Sequence, residues 1–99
     1  MFTIYKYPLD IKDEQEIEVP YNNKVLHVGF DGNKQLCVWI QIDTNAYLVP
    51  LTFYIVGTGN PMPKDTVVDY IGSVHDNNTN PNVTFIWHVF KAIEFQAQR

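Results

Sequence analysis

Apolar and polar residues alternate with a period of two along most of this chain. Each alternating run is bounded by Pro, Gly, Asn or Asp, the pattern of half-buried strands joined by tight loops. Residues 2–7 (FTIYKY) read as a first strand that stops at Pro8, which has no N–H for a ladder. A short strand at 16–19 stops at Pro20, and Tyr21-Asn22-Asn23 supplies a turn. Over 25–30, Leu26, Val28 and Phe30 are expected to share one face, and Asp31-Gly32 marks a hairpin. In the return strand, QLCVWIQI, Leu36, Val38, Ile40 and Ile42 form the expected core face, with Cys37, Trp39 and Gln41 opposite.

Residues 47–56 predict a longer strand with a bulge or an edge at Pro50. Gly57 to Pro63 holds two glycines and two prolines, so it predicts an ordered loop of defined turns. Residues 69–75 resume as a strand in which Gly72 marks a bulge or a close backbone approach. A polar loop tip at 76–82 precedes a last strand at 83–90, and 91–99 form a tail that continues the strand or turns into a short helix. Seven or so short strands in succession predict an all-β fold, an antiparallel sandwich or small barrel.

Size and composition narrow the picture. Ninety-nine residues, 45% hydrophobic, suit one domain with one core over 1–99, with no need of a disulfide or a structural metal. The single cysteine cannot form an intrachain bridge. The N-terminus lacks the features of a secretory signal and no apolar run is long enough to span a bilayer, so a cytoplasmic protein without membrane contact is expected. A net charge of −4 with seven Lys and Arg argues against binding duplex nucleic acid. The acidic cluster Asp13, Glu14, Glu16 and Glu18 reads as a solvated edge or turn.

Candidate chemistry is sparse. Gly57-Thr58-Gly59-Asn60 invites comparison with a phosphate-holding turn, because consecutive backbone N–H groups at glycines can cradle an anion. It lacks the Lys-Ser/Thr ending of a P-loop and the helix that would follow. His27, His75, His88 and Cys37 show no paired ligand spacing, so no metal and no cofactor are expected. No nucleophile elbow is present, and Cys37 lies in an apolar strand where a thiol is inert, which argues against an enzyme. The aromatic residues are more informative. Tyr5, Tyr7, Trp39, Tyr54, Tyr70, Trp87 and Phe90 lie on strands, several opposite the aliphatic stripe, so a second covering is expected: closure within the monomer, a second copy in a homo-oligomer, or a stacked ligand.

Five blocks in order, Tyr5-Lys6-Tyr7-Pro8-Leu9, Ile17-Glu18-Val19-Pro20, Gly57 to Pro61, Tyr70-Ile71-Gly72-Ser73 and Trp87-His88-Val89-Phe90, resemble a family of small uncharacterised domains encoded mostly by bacteriophages and prophages. That resemblance covers the chain through Phe90; the acidic segment after Leu9, the Asn-rich loop and the tail depart from it. It implies a phage setting and no catalytic residues. In that setting the expected function is a counter-defence binding protein that sequesters a host nucleotide immune signal. Lys6 would supply charge, Gly57, Thr58, Gly59 and Asn60 the turn, and Tyr70, Trp87 and His88 a stacking and hydrogen-bonding surface. The alternative is an inhibitor that docks on a host defence protein through an aromatic surface or strand edge.

Overall fold

The structure, a computed structural model, describes residues 1–93. Seven strands fill it: β1 (Phe2–Pro8), β2 (Glu14–Pro20), β3 (Lys24–Phe30), β4 (Leu36–Asp43), β5 (Leu48–Gly57), β6 (Val68–Asp76) and β7 (Phe85–Ala92). They form two antiparallel sheets, a three-stranded one in the order β1-β4-β3 and a four-stranded one in the order β2-β5-β7-β6. The expected all-β fold is therefore a sandwich rather than a closed barrel. The tail continues β7 as far as Ala92, and the part of the tail beyond Ile93 lies outside the described residues.

Period two explains most of the core. Leu36, Val38, Ile40 and Ile42 of β4 are buried on one face, as their alternation requires, against Leu51, Phe53 and Ile55 of β5 and Val74 and Val89 of the four-stranded sheet. Leu9 and Val19 close the cluster from the β1–β2 side.

β3 departs from its expected pattern. Its pairing with β4 shifts by one residue between Val25 and His27, so Leu26 is 44% exposed while Val25, Val28 and Phe30 face the core. A bulge inserts one residue and thereby changes which face the preceding side chains occupy.

Pro50 sits in a strand with neighbours on both sides, yet it makes no bulge against β2. The hydrogen bonds from Tyr21 N to Tyr47 O and from Ile55 N to Asp13 O show that odd-numbered β5 residues bond to β2, which turns the Pro50 nitrogen toward β7. The described pairing with β7 begins only at Phe53, so Pro50 forfeits no described ladder bond.

Gly72 fulfils both expectations placed on it. β6 shifts register between Tyr70 and Gly72, and a Cβ at Gly72 would stand 2.8 Å from Val28 Cγ1. The two sheets thus close most tightly where β6 meets β3.

The β3–β4 turn is longer than a two-residue Asp-Gly hairpin. Asp31 Oδ1 accepts from the backbone N–H groups of Asn33 and Gln35, and Lys34, rather than Gly32, takes the left-handed conformation at φ 63°. Asp31 also accepts from Lys6 Nζ at 3.0 Å. These donors hold its carboxyl at about 2, below the ordinary 3.8, with the Lys6 hydrogen bond the largest cause. Because the folded value is depressed, Asp31 contributes stability above pH 3.8 that is lost as the pH falls toward about 2. Asp31→Asn should therefore flatten the acid limb of a stability-versus-pH curve in that window, measured by urea denaturation at each pH; an unchanged limb would show that the Lys6–Asp31 pair does not contribute.

Candidate functional site

Two structural decisions build the candidate site at one end of the four-stranded sheet. The first is the loop after β5. Gly57 pairs with Trp87 across the ladder, and a Cβ there would lie 3.0 Å from the indole Cζ3 and 2.9 Å from Asn60 Nδ2. Only a glycine lets the indole and the Asn60 amide settle this close to the backbone. Gly59 follows at φ 90°, a left-handed conformation that favours glycine, and Asn60 N donates to Gly57 O at 2.9 Å to close the turn.

The second decision is the bulge in β6. Residues three apart on a regular strand face opposite sides, but the register shift brings Tyr70 and Ser73 to the same outer face, beside His88 of β7. A hydrogen-bonded chain results. Tyr70 OH lies 2.7 Å from Ser73 Oγ, Ser73 Oγ lies 2.7 Å from His88 Nδ1, and His88 Nε2 lies 2.8 Å from Thr58 Oγ1. A neutral imidazole donates from one nitrogen and accepts at the other, so one tautomer satisfies both hydroxyls. The chain ties the Gly57–Asn60 turn to the sheet.

Trp87 occupies the opposite, inner face of β7. Its Nε1–H donates to Asp76 Oδ2 at 3.0 Å, and Asp76, 6% exposed, also accepts from Asn78 N at 3.0 Å. The indole is thereby fixed in orientation. Phe85, two residues earlier and on the same face, stacks on it with ring centroids 5.7 Å apart and planes at 17°, and is itself 48% exposed. Between this pair and the turn lies an open groove of about 440 Å³, lined by Gly57, Thr58, Asn60, Phe85, Ile86 and Trp87. Its lining offers one aromatic wall and a few neutral polar groups, the usual balance of a small-ligand site.

Gly57, Thr58, Asn60, Trp87 and His88 are thus brought together, with Gly59 in the same turn and Tyr70 at the far end of the hydroxyl chain. Lys6 is not. It stands on β1, on the outer face of the other sheet, paired with Asp31. Sequence alternation could not assign β1 and β7 to different sheets. Phe85 and Ser73 join the site without having been singled out; the i, i+2 spacing of Phe85 and Trp87 was a readable signal, whereas Ser73 depends on the bulge.

His27 and Cys37 lie on the three-stranded sheet, where His27 packs against Trp39 and Cys37 is buried, its thiol pushed up by burial and then by the Asp31 charge. They are thereby separated from His88. Among the described residues no cluster of three or more His, Cys, Asp or Glu is arranged to hold a metal ion, and no helix is long and apolar enough to cross a membrane.

No curated protein and no solved structure matches the chain. A family model does match, over residues 1–99: the chain belongs to the family described as a domain of unknown function, DUF7352.

Proposed function

We propose that this chain is a non-enzymatic binding protein of bacteriophages or prophages that sequesters a host nucleotide immune signal, holding it chiefly by its base. The phage setting rests on the five sequence blocks described above. The reading is carried by the Phe85–Trp87 stack, whose half-exposed outer ring borders an uncharged groove beside a glycine turn. A planar base extends such a stack, and the Asn60 amide and Thr58 hydroxyl are of the type that read a base edge.

Recognition led by phosphate is less well supported. Lys6 is spent on Asp31 in the other sheet, and the net charge is −4. Affinity carried by stacking should therefore vary little with salt.

Calorimetry against a panel of cyclic and linear immune nucleotides tests the reading. Loss of a base–aromatic stack is worth about 1–3 kcal/mol, so Phe85→Ala should weaken binding about 5- to 150-fold. No heat with any nucleotide, together with no nucleotide extracted from the purified protein, would end this proposal.

A second reading, an inhibitor that docks on a host defence protein, draws support from a separate patch. Tyr21 and Tyr47 stack at 5.2 Å beside Leu48, and all three are exposed. A stoichiometric host protein in a pull-down that Tyr47→Ala abolishes would favour it.

A further inference from the structure

We propose that two copies of this chain pair edge to edge through β1, in antiparallel register about a two-fold axis at Ile4. Main-chain geometry supplies the first argument. Leu9 N donates to Leu36 O and Thr44 N donates to Met1 O, both in the register of the β1–β4 ladder. The residues that bond to β4 are therefore the odd-numbered ones, and Phe2, Ile4 and Lys6 direct their N–H and C=O groups to the free edge. Pro8, next in that row, has no N–H to leave unpaired and ends the pairable stretch.

The partner must present the same kind of row, and β1 does so to itself. With Ile4 opposite Ile4 of the second copy, Phe2 stands opposite Lys6 at both ends. Phe2, Ile4 and Lys6 then each exchange both main-chain groups, and the two lysines do not face one another. Registers shifted either way lose a pair or press the Pro8 ring against the opposing strand.

Of the three other edge strands, β3 and β6 meet each other where Gly72 approaches Val28, and charge separates β1 from the remaining one, β2. On β2 the hydrogen bonds from Tyr21 N and to Asp13 O turn Glu14, Glu16 and Glu18 outward, so pairing two β2 edges would set carboxylates opposite carboxylates. Charged edges of this kind discourage strand addition. β1 carries no acidic residue, and its one lysine is engaged by Asp31 of its own chain.

Side-chain exposure agrees. Phe2 is 60%, Ile4 54% and Tyr5 50% exposed, and a neighbouring β1 would cover part of each while joining two three-stranded sheets into one. Such an interface is isologous and closes on itself, which gives a dimer and not a fibre.

Sedimentation analysis provides the test. The wild-type chain should sediment at twice 11.5 kDa and Ile4→Pro at 11.5 kDa. The Ile4 nitrogen faces away from β4, so this proline removes no intrachain bond, and circular dichroism should report an unchanged fold. Should Ile4→Pro nevertheless unfold, Ile4→Lys, which sets two charges face to face at the axis, must also halve the mass. Cα atoms in a hydrogen-bonded pair are about 5.5 Å apart, within disulfide reach, so Ile4→Cys should cross-link two chains on oxidation while Glu16→Cys does not. A monomeric wild type, a dimer that survives both Ile4 variants, or a dimer that Ile4→Cys fails to cross-link would overturn the proposal.

Discussion

Phe53→Ala should lower the folding free energy by about 3–5 kcal/mol, the range for truncating a fully buried aromatic. Phe53 is 0% exposed in the middle of β5, the strand flanked by β2 and β7, and its ring lies in the core between the sheets. Neither sheet can collapse to fill the space without breaking a ladder, so the upper half of that range is expected. Domains of this kind are stable by only about 5–15 kcal/mol, and the variant should populate unfolded chain measurably at room temperature. In urea, with a slope of about 1–3 kcal/mol/M, the midpoint should fall by more than about 1 M. Tyr54→Ala, the next residue and on the outer face, should cost much less. Equal losses at the two positions would contradict the assignment of faces on β5.

The second large effect concerns the closed corner. Gly72→Ala puts a methyl group 2.8 Å from Val28 Cγ1, a distance at which something must move. Val28 is stiff, 6% exposed and packed in the core, so it cannot swing aside, and a cost of about 1–3 kcal/mol is expected. Val28→Ala alone destabilises by removing buried methyl groups. In combination it also removes the clash, so the double variant should be more stable than the sum of the two single losses by about 0.5–3 kcal/mol. Strictly additive losses in a thermal denaturation cycle would show that the corner has room to adjust.

Much of this fold was legible because one face of each strand is buried. On β4 period two identified the core stripe Leu36, Val38, Ile40 and Ile42, but not Cys37, which is buried although it lies on the opposite face. On β3 the same logic misplaced Leu26, since a one-residue bulge leaves no local signature that reverses an alternating pattern. Gly72 did announce its bulge, because a glycine inside an apolar strand has few other reasons to be there. The candidate site was legible to the same degree. Gly57 ends β5 and runs directly into Thr58, Gly59 and Asn60, in a stretch whose composition announces a turn, and Trp87 and His88 adjoin it through one ladder pair and one hydrogen bond. Lys6 was grouped with them although alternation carries no information about which sheet a strand joins. Ser73 was missed because its side of β6 is decided by the bulge, not by its position in the run.

Both tryptophans report on the account, and one of them does so directly. Trp39 stands on the outer face of the three-stranded sheet beside His27, so Trp39→Phe leaves Trp87 as the sole indole of the chain, with a fluorescence that senses the groove. Titrating that variant with the immune-nucleotide panel measures whether a base enters against the Phe85–Trp87 stack. Saturable quenching by at least one nucleotide, little changed by added salt and lost in Phe85→Ala, is the result predicted. Trp87 emission that no nucleotide alters, or a change that survives Phe85→Ala undiminished, would contradict the claim that this groove is a base-binding site.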